Sequence, residues 1–366
     1  MRLRFNRQEV TEALSAVCGV TVQRTSKEIL KCVRIEAKSD VLLLAATDLE
    51  LSLRYAVTQV EVDKPGVTVV VADTLAKIVR ECEDELLSLE TEGNLLHVKG
   101  EGSHFQIVTQ EADEFPVVQQ MEGEPDLAVE CAVLRRLVEL TAFAAAREST
   151  RYAINGVLWE VEGDRLTLAA TDGRRLALAH GALVTGGGSS EVIVPGKAMS
   201  MVARLPADAD ARIGLKITDN QLLVDMGRAT FSTALVEGRF PKYQDVIPAD
   251  CDRMVELRTH DFLGALKRAS LLTNEESKGV RFAFSKGSLT LSSRAPEQGE
   301  ATIALPISYE GESMEIGFNP IFLLDVLRVV HAETMIFAFS RSDRPGVIRL
   351  GDDFVYVVMP VNLTSA

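Results

Sequence analysis

The 366-residue chain has few cysteines, and their arrangement excludes two kinds of architecture. Only five occur, and no two of them form a CxxC pair. Disulfide frameworks and structural zinc sites both require paired or regularly spaced cysteines. We therefore expect neither, and we expect the thiols to pack as small core side chains at Cys18, Cys32, Cys82, Cys131 and Cys251.

Long apolar segments are also missing. No run of about 18 uncharged apolar residues occurs, which is the length that a membrane-spanning helix needs. The first ten residues, MRLRFNRQEV, carry charges where a secretory signal would have its apolar segment. We expect a cytosolic protein that does not contact a membrane.

The motifs of common catalytic and cofactor sites are absent from the sequence. The five histidines have neither HxH nor HExxH spacing, and there is no GxSxG, no P-loop and no GxGxxG that opens a helix. The stretch GGGSS (186–190) lacks the GK[ST] of a phosphate cradle, so we interpret it as a hairpin loop. We predict no catalytic residue, no metal and no cofactor.

An excess of positive charge is missing too. Lys and Arg number 39 against 53 Asp and Glu, a net charge of −14, which argues against nucleic-acid binding if the charge is evenly spread. The basic residues nevertheless concentrate in or beside six predicted helices, at Lys77, Arg80, Arg135, Arg136, Arg147, Lys197, Arg204, Lys267, Arg268 and Arg328. Two interpretations stay open: the ordinary solvated face of a helix, or a basic helical lining inside an acidic exterior.

The most informative pattern is an internal repeat. AATD follows alternating leucines twice, in LLLAATDLELSL (42–53) and LTLAATDGRRLAL (166–178). The matching segments begin at residues 33 and 157, 124 apart, and a third begins 123 residues later, at 280, where we read the Thr-Asp pair as Ser293-Arg294. Each copy alternates apolar and polar residues around a turn, which predicts an antiparallel hairpin with one buried face.

Helical patterns flank every copy of the hairpin. They lie at residues 7–17, 72–82, 132–146, 195–205, 259–272 and 319–330. Asn319 followed by Pro320 is typical of a helix start. Repeats of this length are too long for solenoid units, so each is expected to bury its own core. The pattern predicts an α+β protein with three homologous domains, at residues 1–121, 127–247 and 253–366.

Asp48 and Asp172 allow two interpretations. With Asp325 they could supply the acid and base of a hydrolase, because such chemistry uses carboxylates in different environments. They occupy equivalent positions of separate domains, however, and the third copy lacks the acid. We expect both to be structural turn residues.

Several motifs together resemble one family over the whole chain. They are RYAINGVLWE (151–160), TDGRRLAL (171–178), GRFPKYQDVIP (238–248), EIGFNPIFLLDVL (315–327) and the late YVVMP (356–360). The chain is similar to the bacterial sliding clamp, the β subunit of DNA polymerase III. The resemblance implies three clamp-type domains, each with two helices packed on antiparallel sheets, and a closed head-to-tail dimeric ring of six domains.

The resemblance also implies the activity and the partners. The chain would encircle double-stranded DNA without reading its sequence, and it would confer processivity without catalysis. A pocket would bind short linear motifs of the clamp loader, replicative and translesion polymerases, mismatch-repair proteins and ligase-type proteins. The alternative is an open or monomeric clamp-like scaffold.

Three groups of residues follow from the resemblance alone. The peptide pocket would have a deep apolar part and an outer rim. The deep part would comprise Ile154, Thr171, Leu176, Pro241, Val246, Val357 and Met359, and the rim Arg151, Gly173, Arg174, Arg175, Asn319, Phe322, Pro360 and Val361. The DNA-facing residues would be Arg24, Arg147, Lys197 and Arg204. The dimer contact would join His104, Phe105 and Ile107 to Leu271 and Leu272, with Glu297 and Glu300 as a charged rim.

Some positions depart from the family pattern. Asp245 replaces a commonly basic residue, Ser277 stands where some relatives have an aromatic, and Glu148 replaces a neutral polar residue beside Arg147. The chain also extends past the usual ending in NLTSA (362–366). These departures concern partner preference and DNA contact rather than the deep pocket.

Overall fold

The computed structural model describes residues 1–147, 153–273, 279–295 and 297–362. Arg151, Glu148, Ser277 and the last four residues lie outside these ranges. The α-helices of the described chain are α1 (Arg7–Cys18), α2 (Ala72–Glu81), α3 (Cys131–Thr141), α4 (Gly196–Arg204), α5 (Thr259–Ala269) and α6 (Pro320–Val329). Each lies where the sequence pattern predicted a helix.

The strands fall into three groups along the chain. The first comprises β1 (Arg2–Asn6), β2 (Cys32–Ala37), β3 (Leu42–Thr47), β4 (Leu51–Val57), β5 (Val60–Lys64), β6 (Gly66–Val71), β7 (Leu86–Glu92), β8 (Leu95–Lys99) and β9 (His104–Val108). The second comprises β10 (Leu127–Glu130), β11 (Gly156–Glu162), β12 (Arg165–Thr171), β13 (Arg175–Ala182), β14 (Ser189–Pro195), β15 (Arg212–Ile217), β16 (Gln221–Asp225) and β17 (Ala229–Ala234). The third comprises β18 (Arg253–Arg258), β19 (Val280–Ser285), β20 (Ser288–Ala295), β21 (Gly299–Pro306), β22 (Met314–Phe318), β23 (Thr334–Phe339), β24 (Gly346–Leu350) and β25 (Phe354–Val358).

These strands form four antiparallel sheets in two compact units. The first unit contains the sheets β5-β1-β7-β8-β9 and β10-β15-β16-β17-β4-β3-β2-β6. The second contains the sheets β14-β11-β12-β13-β25-β24-β23-β18 and β21-β20-β19-β22. The fold is α+β, with helices packed on antiparallel sheets.

The strands of the middle repeat are divided between the two units. Strands β15 to β17 continue a sheet begun by the first repeat, since β17 pairs with β4, and β13 pairs with β25 of the third repeat. The sheets of the middle repeat are therefore continuous with strands of both neighbouring repeats, and the prediction that each copy buries its own core stays a prediction. Pairing across the repeats removes strand edges that would otherwise expose unpaired backbone groups. The predicted domain limits remain a prediction.

The two AATD segments form the same turn. Thr171 Oγ1 donates to the carbonyl of Arg175 at 2.6 Å, and one Asp172 oxygen accepts from the amides of Arg174 and Arg175. In the first copy, Thr47 Oγ1 likewise donates to the carbonyl of Leu51, and Asp48 accepts from two amides. Side chains that satisfy nearby amides in this way stabilise turns. The structural interpretation of Asp48 and Asp172 is confirmed.

The strand register corrects the reading of the third copy. Leu158 faces Ala169 in the second copy, and the equivalent pair in the third is Arg281 and Ser292. Counting two residues on from Ser292, the equivalent of Thr171 is Arg294, so Ala295 stands in the place of the aspartate. The reading of the pair as Ser293-Arg294 is wrong by one residue. A one-residue slip would have turned every side chain to the other face of the sheet.

Two further expectations can be compared with the structure. Cys32, Cys82 and Cys131 are buried, Cys18 and Cys251 are half-buried, and none of the five forms a disulfide bond. Gly186 to Gly188 form a loop, whereas Ser189 and Ser190 begin β14. The loop does not join a hairpin, because β14 pairs with β11 instead of β13. Among the described helices, none is long and apolar enough to cross a membrane.

Leu49 has a left-handed backbone, with φ of 83°, at the position that Gly173 occupies in the second copy with φ of 84°. This conformation costs a residue with a Cβ about 1–2 kcal/mol. Leu49 is 56% exposed, so replacing it by glycine removes little burial. We expect Leu49→Gly to stabilise the protein by about 0.5–1 kcal/mol, after the greater entropy of unfolded glycine is subtracted.

The shift of the urea unfolding midpoint measures this effect. Leu86→Gly is the control, because Leu86 is equally exposed, at 62%, but lies in a strand. It should destabilise, since glycine weakens strands. Equal destabilisation by the two substitutions would contradict the proposed strain at Leu49.

Candidate functional site

An apolar cleft of about 220 Å³ opens on the second unit. Ten of the residues predicted for the pocket line it: Ile154, Thr171, Gly173, Arg174, Arg175, Leu176, Pro241, Val246, Val357 and Met359. Lys242 and Tyr243 line it as well, and the sequence reasoning missed both. The structure thus brings segments from three distant parts of the chain to one place; that they bind a peptide remains a prediction.

The floor and the mouth of the cleft differ in exposure. Leu176 faces Val357 across the β13–β25 pair, and both are buried, as is Ile154. Met359 and Val246 are 42% and 51% exposed at the mouth. The amide of Met359 donates to the carbonyl of Arg174 at 2.9 Å, which extends the strand pairing beyond β25. The cleft is therefore a preformed apolar groove whose mouth side chains have surface left to bury, as ligand sites commonly do.

Arg175 is the most heavily bonded side chain of the cleft. Its guanidinium donates to Asp172 at 3.0 Å, to Asp325 at 2.8 Å and to the carbonyl of Phe143 at 2.9 Å. It also lies over the rings of Phe143 and Phe322, at 5.5 and 4.8 Å from their centres. Such stacking and forked hydrogen bonding suit a guanidinium better than an ammonium.

The charge of Arg175 is balanced within the protein. Burial opposes the charged form, but the hydrogen bond that Arg175 donates to Asp325 and the nearby charge of Asp172 outweigh it and raise the pKa of Arg175. The two carboxylates neutralise the guanidinium, so Arg175 offers no unpaired charge to a ligand. Asp172 and Asp325 therefore hold the cleft wall in place, and neither is arranged as a catalytic acid.

Phe322 and Asn319, both predicted at the rim, support the wall from α6. Phe322 stacks on Arg175, and its carbonyl accepts a hydrogen bond from the hydroxyl of buried Tyr356 at 2.7 Å. Asn319 is 9% exposed and caps α6, accepting from the amide of Ile321 at 3.0 Å. The Asn-Pro helix start is confirmed by this cap, and the rim role of Asn319 stays a prediction.

Pro360 and Val361, the other predicted rim residues, lie just beyond the cleft lining. The amide of Val361 donates to the carbonyl of Gly317 at 2.8 Å, which directs the chain toward β22 after Met359. The apolar segment before Met359 completes a sheet, because β25 pairs with both β13 and β24.

Tyr243 anchors the loop that carries Pro241 and Val246. Its hydroxyl donates to the carboxylate of Glu160 on β11. Burial and the nearby charges of Glu191 and Glu162 raise the pKa of Glu160, although the tyrosine hydrogen bond opposes this shift. The loop wall of the cleft is thus tied to the sheet beneath it. Only the position of Tyr243, two residues after Pro241, could have suggested this role from sequence.

The predicted DNA-facing residues are all exposed, in agreement with a solvent-facing role. In the first unit, Arg204 lies at the end of α4 beside a groove of about 540 Å³ that α1 also lines. Lys197, at the start of α4, forms an ion pair with Asp48 and donates to the carbonyl of Val20 at 3.2 Å. Arg24 belongs to the same unit, and Arg147 to the other.

The predicted dimer residues lie at two sheet edges. Strand β9 is the edge of one sheet in the first unit, and β21 is the edge of one sheet in the second. Phe105 is 38% exposed and Leu271 is 75% exposed, next to β21, whereas Ile107 is 7% exposed and faces its own core. The side chain of Ile107 therefore packs within its own unit, whereas Val108 on the same strand is 58% exposed.

The remaining predicted dimer residues lie near the same edges. His104 is exposed on β9, and its ring accepts or donates a 2.9 Å hydrogen bond with buried His97. Leu272 is half-buried, Glu297 is exposed, and Glu300 on β21 pairs with Arg294 at 3.1 Å. In the described ranges, no group of three or more His, Cys, Asp or Glu side chains is placed to hold a metal ion.

Comparison with known proteins identifies relatives over the full chain. Family sequence profiles for the N-terminal, central and C-terminal domains of the DNA polymerase III beta subunit match residues 1–119, 128–242 and 244–362. The beta sliding clamp of Pseudomonas aeruginosa is 34% identical and that of Escherichia coli K12 is 32% identical, each over 99% of this chain and 100% of the relative.

Solved structures of sliding clamps show the same fold. The structure from Pseudomonas aeruginosa bound to griselimycin superposes with a TM-score of 0.94 at 34% identity, over 99% of this chain and all of that one. A DNA polymerase III beta subunit from Thermotoga maritima superposes with a TM-score of 0.91 at 27% identity, with the same coverage.

Proposed function

Because the chain belongs to the family of β sliding clamps, the β subunits of DNA polymerase III, we propose that two copies form a closed head-to-tail ring around duplex DNA. Each copy contributes three domains. The ring is a processivity factor without catalytic activity of its own, and it works in the cytoplasm, where bacterial chromosomes are replicated.

The apolar cleft is the observation that carries the tethering role. It has an apolar floor, a mouth of two half-exposed apolar side chains and a wall that is already hydrogen-bonded in place. Preformed apolar grooves with a few polar anchors suit short linear motifs. The partners would be the clamp loader, replicative and translesion polymerases, mismatch-repair proteins and ligase-type proteins, which take turns at this cleft. Griselimycin, the ligand of the Pseudomonas aeruginosa clamp, is expected to bind there too.

The two exposed edges support ring closure. Phe105 and Val108 on β9 and Leu271 beside β21 would leave apolar edge surface open in a single chain. Pairing β9 of one copy with β21 of the other buries this surface. The same head-to-tail contact, formed a second time between the two remaining edges, closes the ring.

The charge distribution fits a ring that slides. The net charge of −14 disfavours wrapping of DNA on the outside, while Arg24, Arg147, Lys197 and Arg204 face the duplex. Few phosphate contacts and no base contact mean that no DNA position is preferred. The clamp then stays on DNA because the ring encloses the duplex, and tight binding is not required.

Loading the protein onto nicked circular DNA with its cognate clamp loader tests this proposal. We expect the clamp to stay on the circle when the salt concentration is raised and to leave when the circle is cut. A purely electrostatic complex with several phosphate contacts would instead lose orders of magnitude in affinity over the same salt range. Gel filtration of the DNA before and after cutting measures retention.

Two results would contradict the ring. Loss from the uncut circle at raised salt would mean binding by phosphate contacts alone. Retention after linearisation would mean that the protein stays on DNA without encircling it. Either outcome would favour an open or monomeric clamp-like scaffold.

A further inference from the structure

Lys197 is proposed above to face DNA, yet its ammonium is already bound within the protein. It forms an ion pair with one carboxylate oxygen of Asp48 and donates to the carbonyl of Val20 at 3.2 Å. An ammonium has three donors, so one remains. The Lys197 side chain is 43% exposed, which leaves it accessible to a phosphate that competes with Asp48.

The carboxylate of Asp48 is held in position for this contact. Its other oxygen accepts from the amides of Glu50 at 3.0 Å and Leu51 at 2.7 Å, and its side chain is 13% exposed. Rotating the carboxylate away from Lys197 would break both turn hydrogen bonds. The partner of Lys197 is therefore part of the fold and does not need to be ordered when the ion pair forms.

Arg204 provides the contrast at the other end of α4. It is exposed, and none of the carboxylates in the described residues lies within ion-pair distance of it. The same helix thus presents one cation that is neutralised and one that is not.

The second repeat uses the same turn in the same way. Asp172 holds two turn amides with one oxygen, and its second oxygen accepts from Arg175 at 3.0 Å. In both copies the turn aspartate neutralises one cation. The difference is that Arg175 is buried in the cleft wall, with a 10% exposed side chain, whereas Lys197 remains accessible.

We propose that Asp48 neutralises Lys197 and thereby limits how strongly the clamp holds DNA phosphates, which keeps the ring mobile. This inference rests on the proposed function, since it requires duplex DNA to pass Lys197. A phosphate gains the full attraction of this lysine only when the pair with Asp48 is broken. Asp48 is then a residue that sets sliding speed without touching DNA.

The test is the one-dimensional diffusion coefficient of single loaded clamps on stretched DNA with blocked ends. Asp48→Asn keeps an oxygen for the turn amides and removes the charge. It should slow diffusion about two- to fivefold at low salt, the range that an exposed ion pair supports. The difference should vanish at high salt, where exposed charges are screened.

Lys197→Ala completes a double-mutant cycle. In the Asp48→Asn background it should restore the wild-type rate, and in the wild-type background it should accelerate diffusion by a smaller factor, because Asp48 already neutralises part of the lysine charge. Glu61→Gln is the matched control. It also removes one carboxylate charge and releases a basic side chain, Arg4, from a 2.8 Å ion pair, but this pair joins strands β1 and β5 and does not involve Lys197. It should leave diffusion unchanged.

Two outcomes would overturn the inference. An unchanged rate for Asp48→Asn would mean that the pair does not limit the hold on DNA. An equal acceleration by Lys197→Ala in both backgrounds would mean that the lysine already grips DNA despite Asp48. Failure of the wild-type protein to stay on blocked DNA at all would overturn the proposed ring, and this inference with it.

Discussion

Met359→Ala combined with Val246→Ala is expected to weaken griselimycin binding by about 2–4 kcal/mol, or roughly 30- to 700-fold. The two side chains stand half-exposed at the cleft mouth, so a ligand that fills the cleft covers them on binding. Residues that anchor a ligand in a desolvated pocket carry most of the binding energy. Isothermal titration calorimetry with the compound measures the loss.

The choice of these two residues depends on the structure. Leu176 is part of the same cleft, but it is 1% exposed and belongs to the apolar cluster beneath it. Leu176→Ala would therefore destabilise the fold by about 2–5 kcal/mol as well as alter the cleft. Substituting Met359 and Val246 changes the cleft without removing a fully buried side chain, so the effect on binding is separated from the effect on stability.

Met254→Ala is the control for the cleft. Met254 is 62% exposed on β18 of the same unit and does not line the cleft. It should leave both griselimycin affinity and the unfolding midpoint unchanged. If the double variant binds as tightly as the wild type, the compound occupies another site and the cleft is not its receptor.

Leu271→Asp is expected to convert the homodimer into a monomer. The side chain is 75% exposed in the single chain, where such a substitution usually changes stability by less than about 0.5 kcal/mol. In the proposed ring it is buried against β9 of the other copy. An unpaired carboxylate buried there costs about 3–5 kcal/mol, which raises the dissociation constant more than 100-fold. Sedimentation equilibrium measures the change.

Leu86→Asp makes the same chemical change elsewhere. Leu86 is 62% exposed on β7, away from both proposed edges, so this variant should remain a dimer. A Leu271→Asp dimer of wild-type strength would place the interface on another surface. A monomeric wild-type protein would support the open scaffold instead.

The structure also explains why the first repeat lacks an equivalent apolar cleft in the described chain. Leu158 and Leu178 lie in the apolar cluster beneath the cleft, and residues 124 positions earlier are Arg34 and Arg54. Arg34 pairs with Glu36 at 2.6 Å, and this hydrogen bond lowers the pKa of the carboxyl. An apolar motif placed there would have to desolvate charges, which is unfavourable without compensating bonds.

Local patterns predicted the repeated elements well. Alternation of apolar and polar residues located the hairpins, because each strand buries one face, and the Thr-Asp turns followed from hydrogen bonds that span only four residues. Aligning the repeats by residue count was less accurate in the third copy, where the turn sequence differs. Arg294 was misplaced by one residue because the third copy has no aspartate to mark the strand end.

Local sequence patterns could not predict contacts between segments that are distant in the chain. The burial of Ile107, the hydrogen bond from Tyr243 to Glu160 and the capping role of Asn319 depend on what packs beside each residue. Family resemblance placed most of the cleft residues in one group, but it put Met359 and Val246 in the deep part, whereas the structure leaves both half-exposed at the mouth.

The sequence by itself determined the three-fold repeat, the α+β order of each copy, the turns and the family. These properties depend on spacing within segments of a few tens of residues, where periodicity and local hydrogen bonding act. Only the tertiary structure decided that β13 pairs with β25, which creates the cleft, and that Lys197 is neutralised by Asp48, 149 positions earlier. Both depend on pairings between repeats, and the same local pattern is compatible with many partners until the chain folds.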